Sequence, residues 1–257
     1  MENKMKIGLV QLAIEWENPA ANMAKVNELV SKLNQKLDLL IFPELSLTGF
    51  TMNSKHFAEE IDGTCTQFFM DLAKRIKTNI FCGLIERDGN DFYNSLVHFD
   101  ENGLLMARYR KIHPFSFAGE DENYTASNEL VVTEIDHKKI GLTICYDLRF
   151  PELYRLYAKK GIDVLINIAN WPTPRIEHWR TLLKARAIEN QCFMIGVNRT
   201  GTDPKHIYNG YSGVYNPLGK ELLSVENEEG IFAVEININQ VNETRKSLPF
   251  LKDMKLI

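Results

Sequence analysis

Apolar runs alternate with amphipathic stretches through the first two thirds of the chain. Residues 37–42 (LDLLIF) are almost continuously apolar, the pattern of a strand covered on both faces. Residues 6–12 (KIGLVQL), 80–86, 164–169 and 192–198 also predict strands. Between them the period changes. Across residues 20–36, Met23, Val26, Leu29, Val30 and Leu33 fall on one helical face, and Pro19 suits the first turn. Residues 64–77 and 175–190 predict two more helices, and another starts near Pro151.

Other runs are joined by turn chemistry. Residues 92–100 and 104–110 flank 100-DENG-103, where Asn-Gly is expected to supply the positive φ angles of a hairpin. Residues 130–136 and 140–144 flank 136-DHKK-139. The last third is hairpin-rich, with strands at 208–215, 221–225 and 231–236, the turn 216-NPLG-219, and a short helix after Asn237. Strand–helix alternation gives an α/β fold with helices on the sheet faces, and the hairpins make the sheets mixed. Neither a Pro/Gly/Ser-rich linker nor an internal repeat interrupts the chain, so one domain over residues 1–257 is the simplest organisation. The stretch 245-RKSLPFLKDMKLI-257 stands apart, either as an arm packing on a neighbouring subunit or as a loose tail.

Composition narrows the class. A chain of 257 residues, 44% apolar, can bury roughly three quarters of its unfolded surface. A net charge of −4 argues against a nucleic-acid partner, which needs a basic footprint. The opening MENKMKIGLVQLA lacks the apolar core of a signal peptide, and no run approaches the length of a membrane span. Cys65, Cys82, Cys145 and Cys192 are far apart and form no C-x-x-C pair. The expectation is a reduced, cytoplasmic protein.

The run 140–144 stops at Cys145, and Tyr146-Asp147-Leu148-Arg149 follows. Crevices in open α/β sheets lie beyond the carboxyl ends of strands. A cysteine there differs from one in mid-strand, which serves as a small hydrophobe; Cys65, Cys82 and Cys192 read as the latter. A thiol nucleophile needs a base and a donor for the developing oxyanion. The run 37–42 leads into Pro43-Glu44, and 104–110 leads into Lys111, ahead of Ile112-His113-Pro114. A carboxylate, an ammonium and a thiol therefore each stand at the end of a separate strand. Singly, such residues are usually solvated; together they form a Glu–Lys–Cys constellation that needs no metal or cofactor. The six histidines are scattered, so no zinc site is expected. A Cys145–His113 pair is the alternative arrangement. Asp147 and Arg149 read as an ion pair holding the turn, or as substrate contacts.

With these residues placed, the chain resembles the nitrilase superfamily of carbon–nitrogen hydrolases from 7-IGLVQL-12 to about Arg245. The segments 42-FPELSLTGF-50, 109-YRKIH-113 and 141-GLTICYDLRFPEL-153 carry the resemblance, supported by 170-NWP-172 and 184-KARAIENQCFMIGVNRTG-201. It implies a four-layer αββα sandwich, assembled as a homodimer or larger homo-oligomer through helix and tail contacts. It implies catalytic roles for Glu44, Lys111 and Cys145, and for a second glutamate that falls best on Glu120, with Glu122 as the alternative. Glu44 would take the thiol proton, Lys111 and the backbone N–H of Tyr146 would hold the oxyanion, and Glu120 would hold Lys111. Burial should raise the Glu44 pKa for that cycle, and the Lys111 ammonium should favour the thiolate.

The segments 42-FPELSLTGFTMN-53, 145-CYDLRFPE-152 and 170-NWPTPR-175, with the IENQ stretch, resemble most the omega-amidase branch. That branch hydrolyses the terminal amide of short 2-oxo dicarboxylic monoamides, 2-oxoglutaramate and 2-oxosuccinamate. Such small anionic substrates call for a cation or several N–H donors away from the thiol, with Arg175 a candidate against the default of a surface arginine. Phe117 and Trp171 are candidate pocket walls, against the default of aromatic core packing. The alternatives are an N-carbamoyl-amino-acid amidohydrolase, another small aliphatic amidase or nitrilase, and a non-catalytic metabolite-binding member.

Overall fold

Three clusters of buried side chains, each fed by one face of a strand or helix, sort the chain into layers. A computed structural model describes residues 3–256; Met1 and Glu2 of the opening stretch and Ile257 of the tail lie outside the described residues. The first half supplies β1 (Lys4–Gln11), α1 (Pro19–Ser31), β2 (Leu39–Ile41), the single turn α2 (Ser54–Phe57), α3 (Thr64–Ile76), β3 (Asn79–Asp88), β4 (Asp91–Phe99) and β5 (Leu105–Arg110). The second half supplies β6 (Val132–Ile135), β7 (Lys138–Ile144), α4 (Pro151–Lys159), β8 (Val164–Ala169), α5 (Ile176–Asn190), β9 (Phe193–Asn198), β10 (Thr200–Thr202), β11 (Ile207–Tyr215), β12 (Glu221–Glu226), β13 (Gly230–Asn237) and α6 (Asn239–Ser247).

These strands form two mixed sheets. One runs β13-β1-β2-β3-β4-β5, the other β10-β11-β9-β8-β7-β6 with β12 also on β11. β1, β2 and β3 are parallel, as are β7, β8 and β9, while the hairpin-connected strands are antiparallel. Side chains alternate between faces, as a period of two requires. Met5, Ile7 and Leu9 of β1 meet Ile166 and Ile168 of β8 in a core between the sheets. Val10, Leu40 and Phe42 face the other way, onto Val26 and Val30 of α1 and Phe69 and Leu72 of α3. Leu165 and Met194 meet Tyr154 and Tyr157 of α4 and Trp179 and Leu183 of α5. The layers are helix, sheet, sheet, helix, the αββα sandwich that the resemblance implied.

Several elements differ from expectation for local reasons. In 100-DENG-103 only Gly103 takes a positive φ, 75°. The Asp100 carboxylate accepts the N–H groups of Asn102 and Leu104 instead, closing the loop through a side chain. At the β6–β7 turn Asp136 and His137 are both left-handed, at 48° and 65°, without any glycine. α1 ends at Ser31, and Leu33 packs from the loop beyond. Asn22 sits fully buried on the core side of α1. It accepts the Glu15 N–H and donates to the carbonyls of Glu15 and Leu47, tying the helix to the segment after Glu44. At the start of the C-terminal stretch, Arg245 donates to the carbonyls of Gln191 (3.1 Å) and Ile162 (2.6 Å), while Phe250 further on is exposed.

The turn after β2 lies directly on β3. Ser46 N–H donates to the Gly83 carbonyl, and Gly83 N–H donates to Ser46 Oγ. A Cβ at Gly83 would stand 2.4 Å from Leu45 N and 2.8 Å from Glu44 Cα, both backbone atoms with no freedom to swing aside. Gly83→Ala is therefore expected to destabilise the protein by about 1–3 kcal/mol, the usual cost of overpacking. Urea unfolding checks this, and a parental midpoint would contradict it.

Candidate active site

Four strand ends converge on one place. Glu44 follows β2 after Phe42-Pro43, Lys111 follows β5, Cys145 follows β7 and Asn170 follows β8. Lys111 Nζ donates to Glu44 Oε1 (2.9 Å) and to both oxygens of Glu120 (3.0 and 2.8 Å). Asn94 Nδ2, from β4, donates to Glu44 Oε1 (2.7 Å) and Glu120 Oε1 (2.9 Å), so one amide ties the two carboxyls together. Glu44 Oε2 accepts the Asn170 backbone N–H (2.8 Å), and the Glu44 carbonyl accepts Asn170 Nδ2 (2.6 Å). Glu120 Oε2 also accepts the Phe115 N–H (2.6 Å). Glu44, Asn94, Lys111 and Glu120 are each at most 1% exposed, and burial of the three charged groups is tolerable only because each is ion-paired and hydrogen-bonded. Of the two glutamates in 120-EDE-122, Glu120 is the buried one at Lys111, and Glu122 is exposed.

Cys145 is the first residue past β7, opening a short helical turn, Cys145–Arg149, with φ 45°. A side chain in the left-handed region carries a backbone cost of order 1–3 kcal/mol, and such strain persists only where surrounding bonds fix it. The elbow turns the half-buried thiol into a cavity. Burial pushes that thiol well above the usual cysteine range, and the Glu44 carboxyl adds to the push. The Lys111 ammonium and the Asn170 N–H offset only part of it. Lys111 does favour the thiolate, as expected, but burial and the carboxyl groups outweigh it, because a thiolate beside them would add a further buried negative charge. Burial alone would lower Lys111, but Glu120 and Glu44 outweigh it, and the ammonium is held well above its usual value. Burial raises the Glu120 carboxyl, with Lys111 opposing and Glu44 adding.

The cavity over Cys145 has a volume of about 230 Å³. Phe117, Trp171 and Arg175 line it, together with Arg149, Lys205 and Tyr208. Phe117 is 88% exposed. Trp171 is buried and also packs on Trp179, so it serves as wall and core together. The Arg149 guanidinium lies 4.7 Å over the Trp171 ring, and that of Arg175 lies 5.6 Å over Phe115. Among the described residues no carboxylate pairs with Arg149, Arg175 or Lys205. Burial lowers Arg149, and repulsion from Arg175 adds to the effect. The wall is thus a set of cations without counter-charge. Among the described residues no three His, Cys, Asp or Glu side chains are grouped to hold a metal ion.

One further expectation is overturned, and one alternative falls away. Asp147 and Arg149 form no ion pair. Asp147 accepts from Tyr109 Oη, the Ile144 N–H and His113, while Arg149 faces the cavity and His178. His113 is turned to Asp147 and stacked on Phe150, with centroids 3.8 Å apart, so it is not the partner of Cys145. Asn94, Asn170 and Lys205 had been assigned no such place, whereas Arg149 takes the cavity-facing position of its alternative reading. Asn94 interrupts an apolar strand, and Asn170 ends the run 164–169 as Cys145 ends its own, so both left a trace in the sequence. Lys205, in a polar turn, left none.

The carbon–nitrogen hydrolase family model matches residues 6–246. A 2-oxoglutaramate amidase of Bacillus subtilis (strain 168) is 35% identical over 254 residues, covering 98% of each chain. An omega-amidase of Yersinia enterocolitica is 32% identical, over 97% of this chain and 96% of its own. A CN-hydrolase superfamily protein of Xanthomonas campestris, solved with an arsenic adduct in its active site, superposes with a TM-score of 0.93 at 31% identity, over 99% of this chain and 98% of that one.

The raised thiol gives a direct expectation. Thiolate absorbance attributable to Cys145, taken as the difference between the parent and Cys145→Ala, should stay absent up to about pH 8.5, the ordinary cysteine value. A thiolate band at neutral pH would contradict the electrostatic balance.

Proposed function

The chain belongs to the carbon–nitrogen hydrolase family, and from that premise we propose that it is an omega-amidase, releasing ammonia from the terminal amide of short 2-oxo dicarboxylic monoamides. The observation that carries this reading is the cavity, with a thiol beside a carboxyl–ammonium cluster and three cations without counter-charge on its wall. 2-Oxoglutaramate and 2-oxosuccinamate have a carboxylate and a keto oxygen for those cations, and an amide at the other end for the thiol.

In this reading Glu44 takes the proton from the Cys145 thiol as sulfur attacks the amide carbon. The protonated resting thiol makes the base necessary, since little thiolate is present beforehand. The oxyanion is held by the Lys111 ammonium and the backbone N–H of Tyr146; one such donor is typically worth on the order of 10²–10³ in rate. Lys111 spends its resting bonds on Glu44 and Glu120, and the two-oxygen hold by Glu120 lets one be shared without releasing the ammonium. Glu44 passes its proton to the departing nitrogen, ammonia leaves, and a thioester stays on Cys145. Glu44 then takes a proton from water, hydroxide attacks the thioester, and the acid departs as the proton returns to sulfur. Asn94 and Asn170 fix the Glu44 carboxyl throughout.

Ammonia release from 2-oxoglutaramate and 2-oxosuccinamate, run beside glutamine, asparagine and an N-carbamoyl amino acid, tests the proposal. Turnover of the keto-acid amides, lost in Cys145→Ala, is expected. Turnover of the carbamoyl compound alone would replace the substrate class and keep the nucleophile. Arg175→Ala should raise KM for the 2-oxo monoamides about 10- to 100-fold, the value of a charge-assisted contact, while changing KM for a neutral aliphatic amide far less. Equal effects on both would remove Arg175 from substrate recognition.

A further inference from the structure

The buried Asp147 carboxylate has no role in the chemistry above, yet it is fully enclosed and takes four donors. Oδ2 accepts Tyr109 Oη (2.7 Å) and the Ile144 N–H (2.9 Å). Oδ1 accepts the His113 N–H (3.0 Å) and His113 Nδ1 (2.8 Å). The donors come from two chain segments. Tyr109 and His113 bracket Lys111 at the end of β5, in the first sheet; Ile144 immediately precedes Cys145 at the end of β7, in the second. One carboxylate therefore joins the lysine-bearing segment to the nucleophile-bearing turn across the gap between the sheets.

The same bonds answer the backbone strain. Cys145 has φ 45°, and the Asp147 side chain reaches back to the Ile144 N–H, closing the turn around it. His113 extends the clamp outward, its ring stacked on Phe150 at 3.8 Å and 7°. Phe150 in turn meets the edge of Tyr146, which lines the cavity. We infer that Asp147 is a positioning residue that sets the placement of Cys145 against Lys111 and Glu44. This rests on Cys145 being the nucleophile.

Asp147→Asn keeps the volume but turns an acceptor into a donor, so one pair of N–H or O–H groups loses its partner. Kinetics on the amide substrate, thermal unfolding, and the rate of Cys145 alkylation by iodoacetamide are measured together. The expected result is a folded variant with kcat lower by about a hundredfold, as displacements near 1 Å can produce. KM should stay within about threefold of the parent, since the cation wall is untouched, and alkylation should slow in parallel with kcat. A scaffold role alone would lower the melting temperature and leave kcat per folded molecule and alkylation unchanged, and that result overturns the proposal. If Asp147→Asn does not fold, Tyr109→Phe removes a single donor, and a folded Tyr109→Phe with parental kcat and alkylation overturns it equally. Cys145→Ala runs alongside: turnover surviving there overturns the nucleophile assignment itself, whereas its loss there beside full turnover in Asp147→Asn overturns only the positioning role.

Discussion

The buried Lys111 ammonium, held between Glu44 and Glu120, is the interaction on which the rest of the site depends. No part of the cluster is tolerable alone. An unpaired carboxylate or ammonium in a water-free interior costs several kcal/mol, and the mutual attraction offsets this only with good geometry and saturated hydrogen bonds. Here Asn94, Asn170 and the Phe115 N–H complete that saturation. The cluster fixes three strand ends relative to one another because each charge needs the others in place.

The layering makes such a cluster possible. Two sheets packed face to face place the ends of β2 and β5 from one sheet near those of β7 and β8 from the other. Beside the site, hydrogen bonds then cross the gap. Asn170 grips Glu44, and Asp147 grips Tyr109 and His113. A strained elbow at Cys145 survives between them. The apolar core between the sheets supplies the rigidity, with strands such as β8 and β9 buried along their whole length.

Charge is distributed with opposite signs on two sides of the thiol. Behind it lie the carboxyls, which with burial keep it protonated. In front lies a wall of Arg149, Arg175 and Lys205, none of which is ion-paired to a carboxylate among the described residues. The carboxyl side suits a proton acceptor that acts on a thiol, and the cationic side suits an anionic amide. An omega-amidase needs both, and a neutral-amide hydrolase needs only the first.

Much of this was legible in the chain itself. Nearly continuous apolar runs such as 37–42 and 164–169 have the pattern of strands covered on both faces, which points to sheets between layers. A Glu, a Lys and a Cys at the ends of separate runs marked the rim, because strand periodicity and termination are local properties. Other features were decided only by the tertiary structure. Asp147 was expected to pair with its near neighbour Arg149, but the sheets bring Tyr109 and His113 to it from over thirty residues away. Lys111 was expected to favour the thiolate and does, but how far burial and the two carboxyls outweigh that one ammonium is set by the packing. The choice of Glu120 over Glu122, and of Arg149 and Lys205 as companions to Arg175, likewise depends on which side chains packing turns inward. Sequence sets periodicity, and with it which residues end up at strand termini; the partner and the dielectric that each terminus meets are non-local, and only the packed fold determines them.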